Sequence, residues 1–135
     1  MSDQLSEHFT REEFACRDGC GYDAIDPRLV AALEDLRRGV RAPIHVLSGC
    51  RCLEHNRAVG GAKDSQHLLG TAADITVPGV PIRSVCQRAM QIPAFTGLGL
   101  DEQRCMLHVD VRESPARWVY LGGKAVSAWP AGLEA

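Results

Sequence analysis

Three residues with metal-ligand chemistry stand in suggestive surroundings: His67 in Ser65-Gln66-His67-Leu68-Leu69-Gly70, Asp74 in Ala72-Ala73-Asp74-Ile75, and His108 in Met106-Leu107-His108-Val109-Asp110. Asp74 falls inside an apolar strand signal, where an unpaired carboxylate is costly to desolvate, so it requires a cation, a set of donors or a metal beside it. Leu107 and Val109 flank His108, and the two-residue period of a strand puts His108 on the face it shares with Asp110. Two histidines and one carboxylate around zinc leave the fourth tetrahedral position for water, as a hydrolytic centre requires. The spacing alone is met equally by a buried histidine bonded to a backbone carbonyl and an aspartate in an ion pair.

The elements that must position these groups belong to a chain of 135 residues, 45% apolar and 24% charged, the profile of one domain of ordinary size. Such a chain needs neither a metal nor disulfides merely to fold, so a metal in it is suspected of chemistry. The formal charge of -2, from 15 basic and 17 acidic residues without a long single-sign run, argues against a nucleic-acid footprint or a polybasic membrane patch. No apolar window is long enough to span a bilayer, and the opening MSDQLSEHFTREEF lacks the charge and apolar run of a signal peptide. The expectation is a protein made in the cytoplasm without an export signal of its own, and a monomer.

Thr10 to Glu13 has the form of a capping box flanked by Phe9 and Phe14, which starts a short helix at Arg11. The segment CRDGCGYDAID is too polar and glycine-punctuated for a regular element. Asp26 and Pro27 then open a helix with Leu29, Val30, Leu33 and Leu36 on one face, which Gly39 closes in a left-handed conformation. Strands are predicted at Pro43 to Ser48 and Ala72 to Val77, and between them only Leu53 to Val59 is expected to be helical. Pro81 opens a third helix that buries Ile82, Val85, Cys86, Ala89 and Met90 and stops at Pro93. Thr96 to Leu100 and Cys105 to Val111 form a hairpin, and Trp118 to Tyr120 and Val126 to Trp129 add edge strands or irregular packing. The fold class is α+β: a small single domain over residues 1–135, with helices packed on a mostly antiparallel sheet.

A wider match weights the metal reading. Ser48-Gly49-Cys50-Arg51, Glu54-His55-Asn56, Val59-Gly60-Gly61, Ser65-x-His67-x-x-Gly70-x-Ala72-x-Asp74 and His108-x-Asp110 together resemble the zinc D-Ala-D-Ala carboxypeptidase family. That family includes bacteriophage endolysins and vancomycin-resistance dipeptidases, and shares a superfamily with the hedgehog signalling domain. The resemblance covers residues 8–130, since Phe9 to Cys16 and Arg117-Trp118 also look like phage-type members. It implies that His67, Asp74 and His108 bind a catalytic zinc and that Arg51 stabilises the oxyanion of a tetrahedral intermediate. A guanidinium there meets charge that develops only in the transition state. It also implies a hedgehog and DD-peptidase-like fold and, as partners, stem or cross-bridge peptides of peptidoglycan. Ser65 then contacts substrate or fastens its own turn.

One departure concerns the proton carrier. Many members of the family place an acid three positions before the final histidine, and here that position is Cys105, a poor substitute for an ionised base. Glu102 and Asp101 lie upstream, near the turn of the expected hairpin. Asp110 shares a face with His108 and is either the base or an acceptor that fixes a ligand tautomer. Cys16, Cys20, Cys50 and Cys52 form a CxxxC and a CxC, which leaves free thiols, a disulfide between loops or a second, closed zinc open. The leading expectation is a zinc peptidase acting on D-amino-acid-containing bonds of the bacterial cell wall, in a phage or prophage lysin setting. The alternatives are a zinc-containing module that binds wall peptides or a protein partner without cutting them, and a redox or structural-zinc protein centred on the cysteines.

Overall fold

The computed structural model describes residues 3–130 and 133. Asp26 accepts the amide of Arg28 at 2.8 Å and Pro27 occupies the first turn of α1 (Pro27–Val40). The apolar stripe Leu29, Val30, Leu33 and Leu36 is buried as its spacing requires. Gly39 does not close this helix, because the hydrogen-bonded ladder runs on to Arg41, whose amide still reaches Arg37. Arg41 itself turns left-handed, with φ 55°, just before Pro43 bars any continuation.

A six-stranded sheet is built from β1 (His45–Ser48), β2 (Ala72–Thr76), β3 (Gly97–Asp101), β4 (Met106–Asp110), β5 (Ala116–Leu121) and β6 (Lys124–Val126). Its order is β1-β2-β4-β3-β5-β6, antiparallel throughout except for the parallel pair β3 and β5. The α+β class and the β3–β4 hairpin are as expected from the sequence. Trp118 to Tyr120 is not an edge, however: β5 lies between β3 and β6, and the edge strand stops at Val126.

Alternation divides the sheet into two faces. Val46, Ala73, Ile75, Leu98, Leu100, Leu107, Val109 and Val119 join the core with α1 and α3 (Ile82–Ala89), while the short α2 (Leu53–Ala58) lies between β1 and β2 in the chain. The opposite face carries Asp74, Met106, His108, Asp110, Trp118 and Tyr120. Register brings Ser48 beside Asp74, Asp74 beside His108, His108 beside Gly99 and Gly99 beside Trp118, so one row across four strand pairs assembles a polar site. Among the described residues no helix is long and apolar enough to cross a membrane.

The N-terminal segment is stapled to the core. Phe9 and Phe14 meet with ring centroids 5.8 Å apart around the short 3-10 turn Arg11–Phe14. Glu13 reaches back to the Thr10 amide at 2.8 Å, while its own amide goes to the Thr10 carbonyl. Buried Glu34 of α1 accepts from the Ser6 hydroxyl, from the His8 amide at 2.6 Å and from His8 Nδ1 at 2.7 Å. Burial by itself would raise the pKa of Glu34, but these hydrogen bonds outweigh it and hold the carboxyl below its ordinary 4.5. A depressed folded pKa stabilises the protein above the unfolded value and ceases to do so as pH falls through the folded one. Glu34→Ala is therefore expected to cost about 1–3 kcal/mol near neutrality, with the gap from wild type narrowing in acid; urea unfolding at several pH values checks this.

Candidate active site

His67 lies on a 3-10 turn, Gln66–Leu69, that was not foreseen between Leu53 and Asp74. The turn is fixed by Ser65, whose hydroxyl accepts the His67 amide at 3.2 Å, and by Gly70, which ends it at φ 71°. A backbone bond of 3.0 Å from the Arg51 amide to the His67 carbonyl ties it to the loop after β1. His67 Nδ1 meets the Gly49 carbonyl at 2.7 Å, so it carries the proton and Nε2 presents a lone pair. That Nε2 is buried and has no hydrogen-bond partner among the described residues.

Asp74 Oδ1 is 3.2 Å from His67 Nε2 and 3.0 Å from His108 Nδ1. The other ring nitrogen of His108, Nε2, lies 2.7 Å from Asp110 Oδ2. Asp110 is fully buried and saturated: Arg112 donates to Oδ1 from its amide and Nε, and to Oδ2 from Nη2 at 2.6 Å. Gly97 makes this possible, since a Cβ at that position would collide with the Asp110 carboxylate. Gly99 likewise leaves space for the Trp118 indole, which lies 5.1 Å from the His108 ring.

Burial pushes the Asp74 and Asp110 carboxyls up, but hydrogen bonds override it and hold both well below the usual carboxylate range. For Asp74 the partner is His108, with the His67 ring close by on its other side; for Asp110 the partners are His108 and Arg112. His108 moves upward for the complementary reason: its burial opposes a charge, but Asp110 and Asp74 on either side favour one. The pocket thus calls for positive charge between His67 Nε2, Asp74 Oδ1 and His108 Nδ1. One ligand atom from each of these three residues lies within 4.8 Å of the others. The separations of 3.2 and 3.0 Å approach the roughly 3.4 Å edge of a tetrahedron with ligand distances of about 2.1 Å, so the donors fit zinc.

Arg51 lies against the carboxylate. Its Nη2 is 3.1 Å from Asp74 Oδ2, Nε donates to the Ser48 hydroxyl at 3.1 Å, and Nη1 approaches Asn56 Oδ1 at 3.4 Å. The carboxylate partner of Arg51 is therefore on β2. Arg51, Ser65, His67, Asp74 and His108 all line one cavity of about 530 Å³, which also takes in Asp64, Arg112, Trp118 and Tyr120. Asp64 and Asp74 are the acidic side chains among its lining residues.

The other expected acids lie elsewhere. Glu102 pairs with Arg83 of α3 at 2.9 Å and is exposed, while buried Asp101 pairs with Arg104 at 3.0 Å. Cys105 is not in β4: it is an exposed turn residue with φ 52°, before the strand begins at Met106. Sequence reasoning missed Asp64, Arg112 and Tyr120. The signal for Arg112 was its two-residue step from Asp110, but nothing local marks Asp64, which reaches the cavity through the path of a loop.

Comparison with known proteins agrees with this geometry. Residues 7–110 match the family described as Peptidase M15. Over 101 residues the chain is 32% identical to the peptidoglycan L,D-endopeptidase MepK of Escherichia coli strain K12, and equally to that of Shigella flexneri. The alignment covers 70% of this chain and 54% of each relative, so the chain spans about half the length of the curated relatives it matches. With a match over most of its length, the chain belongs to the peptidase family M15.

Proposed function

We propose that this protein is a zinc-dependent peptidase that hydrolyses D-amino-acid-containing peptide bonds of bacterial peptidoglycan. The observation that carries the reading is the convergence of His67 Nε2, Asp74 Oδ1 and His108 Nδ1 at the wall of an open cavity, with Arg51 beside them. Zinc bound there would polarise a carbonyl and bring the pKa of a water towards neutrality. The chain's own residues supply the rest. Gly49 and Asp110 hold the protons of the two imidazoles on the outward nitrogens, which frees His67 Nε2 and His108 Nδ1 as ligands. Arg51 is placed to meet an oxyanion, and the Ser65 hydroxyl, which accepts from His67, keeps its own proton to donate to substrate.

Asp110 has both oxygens committed and is a positioning residue in this proposal, not the base. Asp110→Asn is expected to weaken metal binding about 10–100-fold in a competitive chelator titration, with turnover recovering at saturating zinc. Failure of excess zinc to restore turnover would make Asp110 the base instead. Asp64, an exposed carboxylate of the cavity wall with no ion pair among the described residues, is the proton carrier in this proposal. Asp64→Asn is expected to lower kcat by about 10²–10⁴ with zinc content unchanged.

The name of the relatives points to an internal L,D bond, and the resemblance in motif to a terminal D-Ala-D-Ala bond; the lysin setting rests on that resemblance alone. Defined stem peptides, one ending in D-Ala-D-Ala and one holding an internal L,D linkage, separate the two by the amine each releases. The presence of Cys105, where many members of the resembled family carry an acid, favours a second reading as a non-catalytic wall-binding module. Peptide binding without any new amine would select it.

A further inference from the structure

Outside the cavity, a second group of ligating side chains converges. Cys16, Asp18, Cys20 and Cys52 each bring a sulfur or carboxylate oxygen within 4.8 Å of the others. Cys16 Sγ and Cys52 Sγ are 3.9 Å apart, and Cys52 Sγ is 3.0 Å from Asp18 Oδ2. The group shares no residue with the His67, Asp74 and His108 set. We propose that these four residues form a second, closed zinc site whose role is structural.

Several features separate this site from chance proximity. Three thiols meet, not two, so a disulfide between any pair would leave the third sulfur without a role. The Cys52 amide points at Cys16 Sγ at 3.5 Å and the His55 amide at Cys52 Sγ at 3.4 Å, which places backbone donors where thiolate charge would develop. The loop that carries the first three ligands is folded for the purpose: the Cys16 amide bonds the Tyr22 carbonyl at 2.8 Å, and the Cys20 amide bonds Asp18 Oδ1 at 2.9 Å. Gly19 and Gly21, at φ 79° and 93°, supply turns that residues with a Cβ rarely adopt. Three sulfurs and one oxygen complete four-coordination and leave no open position, the pattern of a structural zinc centre and not of a hydrolytic one.

The CxC pair divides between two environments. Cys50 is not a ligand: it faces the apolar core, and burial pushes its thiol up to about 11. Asp18 takes the place that sequence spacing offers to Cys50. Between these two cysteines stands Arg51, and Gly49, just before them, holds His67. A metal clamp on Cys52 would therefore fix the loop that positions both a ligand and the oxyanion cation of the cavity, through the chain and without contact.

The test counts metal on the whole chain, purified under reducing conditions, loaded with Zn²⁺ and dialysed. Elemental analysis should return two zinc ions per chain, one after Cys20→Ser/Cys52→Ser and one after His67→Ala. Serine at position 52 still caps the helix that follows. A single zinc that the double cysteine variant retains and His67→Ala loses would overturn the proposal. So would a Cys16–Cys52 disulfide found by mass spectrometry in the zinc-loaded protein. A second measurement needs no cysteine change: Co²⁺ bound to the His67→Ala variant should give the intense near-ultraviolet sulfur-to-cobalt charge-transfer band. Its absence would equally overturn the assignment. Neither readout depends on peptidase activity.

Discussion

His67→Ala should abolish zinc binding at the proposed cavity site and depress peptide cleavage by at least about 10³-fold, the scale on which loss of a metal-activated nucleophile is felt. The substitution deletes a buried ring nitrogen that has no hydrogen-bond partner among the described residues and faces Asp74. Asp74 and His108 alone cannot complete a hydrolytic zinc site. The side chain is buried, so a cavity penalty of about 1–3 kcal/mol accompanies the loss. Circular dichroism and a melting curve separate this from unfolding, because the Cys16, Asp18, Cys20 and Cys52 cluster is left whole. Isothermal titration of the variant with zinc, beside product analysis, provides the check. Wild-type affinity at the cavity would mean that His67 is only a satisfied core histidine.

Arg51→Ala is expected to lower kcat by about 10²–10³ while the zinc content holds, the usual effect of deleting one donor to a developing oxyanion. This guanidinium also donates to the outer oxygen of Asp74 at 3.1 Å, which steadies the carboxylate between the two histidines. Arg51→Lys retains the charge but not the three-way hold on Ser48, Asn56 and Asp74, and should recover only part of the rate. Steady-state kinetics on a defined peptide distinguishes the two roles. A fall in kcat marks transition-state contact, whereas a rise in KM alone marks uniform binding. Loss of zinc in both variants would make Arg51 a prop for Asp74 and nothing more.

Much of the site was legible because strand periodicity is strict. Leu107 and Val109 force His108 and Asp110 to one face, and Ala73 and Ile75 do the same for Asp74, so the open face follows once β2 and β4 pair. α1 was legible from Asp26, Pro27 and its apolar stripe, although Arg41 and not Gly39 takes the left-handed cap. What could not be read depends on distant partners. The turn that aims His67 needs Gly49 and Arg51 from another loop. Trp118 reaches His108 only because β5 inserts in parallel beside β3, a pairing that no local pattern encodes. The pairing of Asp110 with Arg112 could not be read either, since two nearby charges in a sequence do not say whether they meet. The same limit applies to the cysteines, where spacing grouped Cys50 with Cys52 but the fold buries one and turns the other towards Asp18.

Metal-dependent cleavage of the cell wall is proposed to occur at His67, Asp74 and His108. Its most direct test is mass spectrometry of the peptides released from purified peptidoglycan by the zinc-loaded protein, the chelated protein, the chelated protein with zinc restored, and His67→Ala. New peptide ends in the first and third samples alone are the expected result, and their masses name the bond. Cleavage that persists in the chelated protein or in His67→Ala, or no cleavage by the zinc-loaded protein, would contradict it.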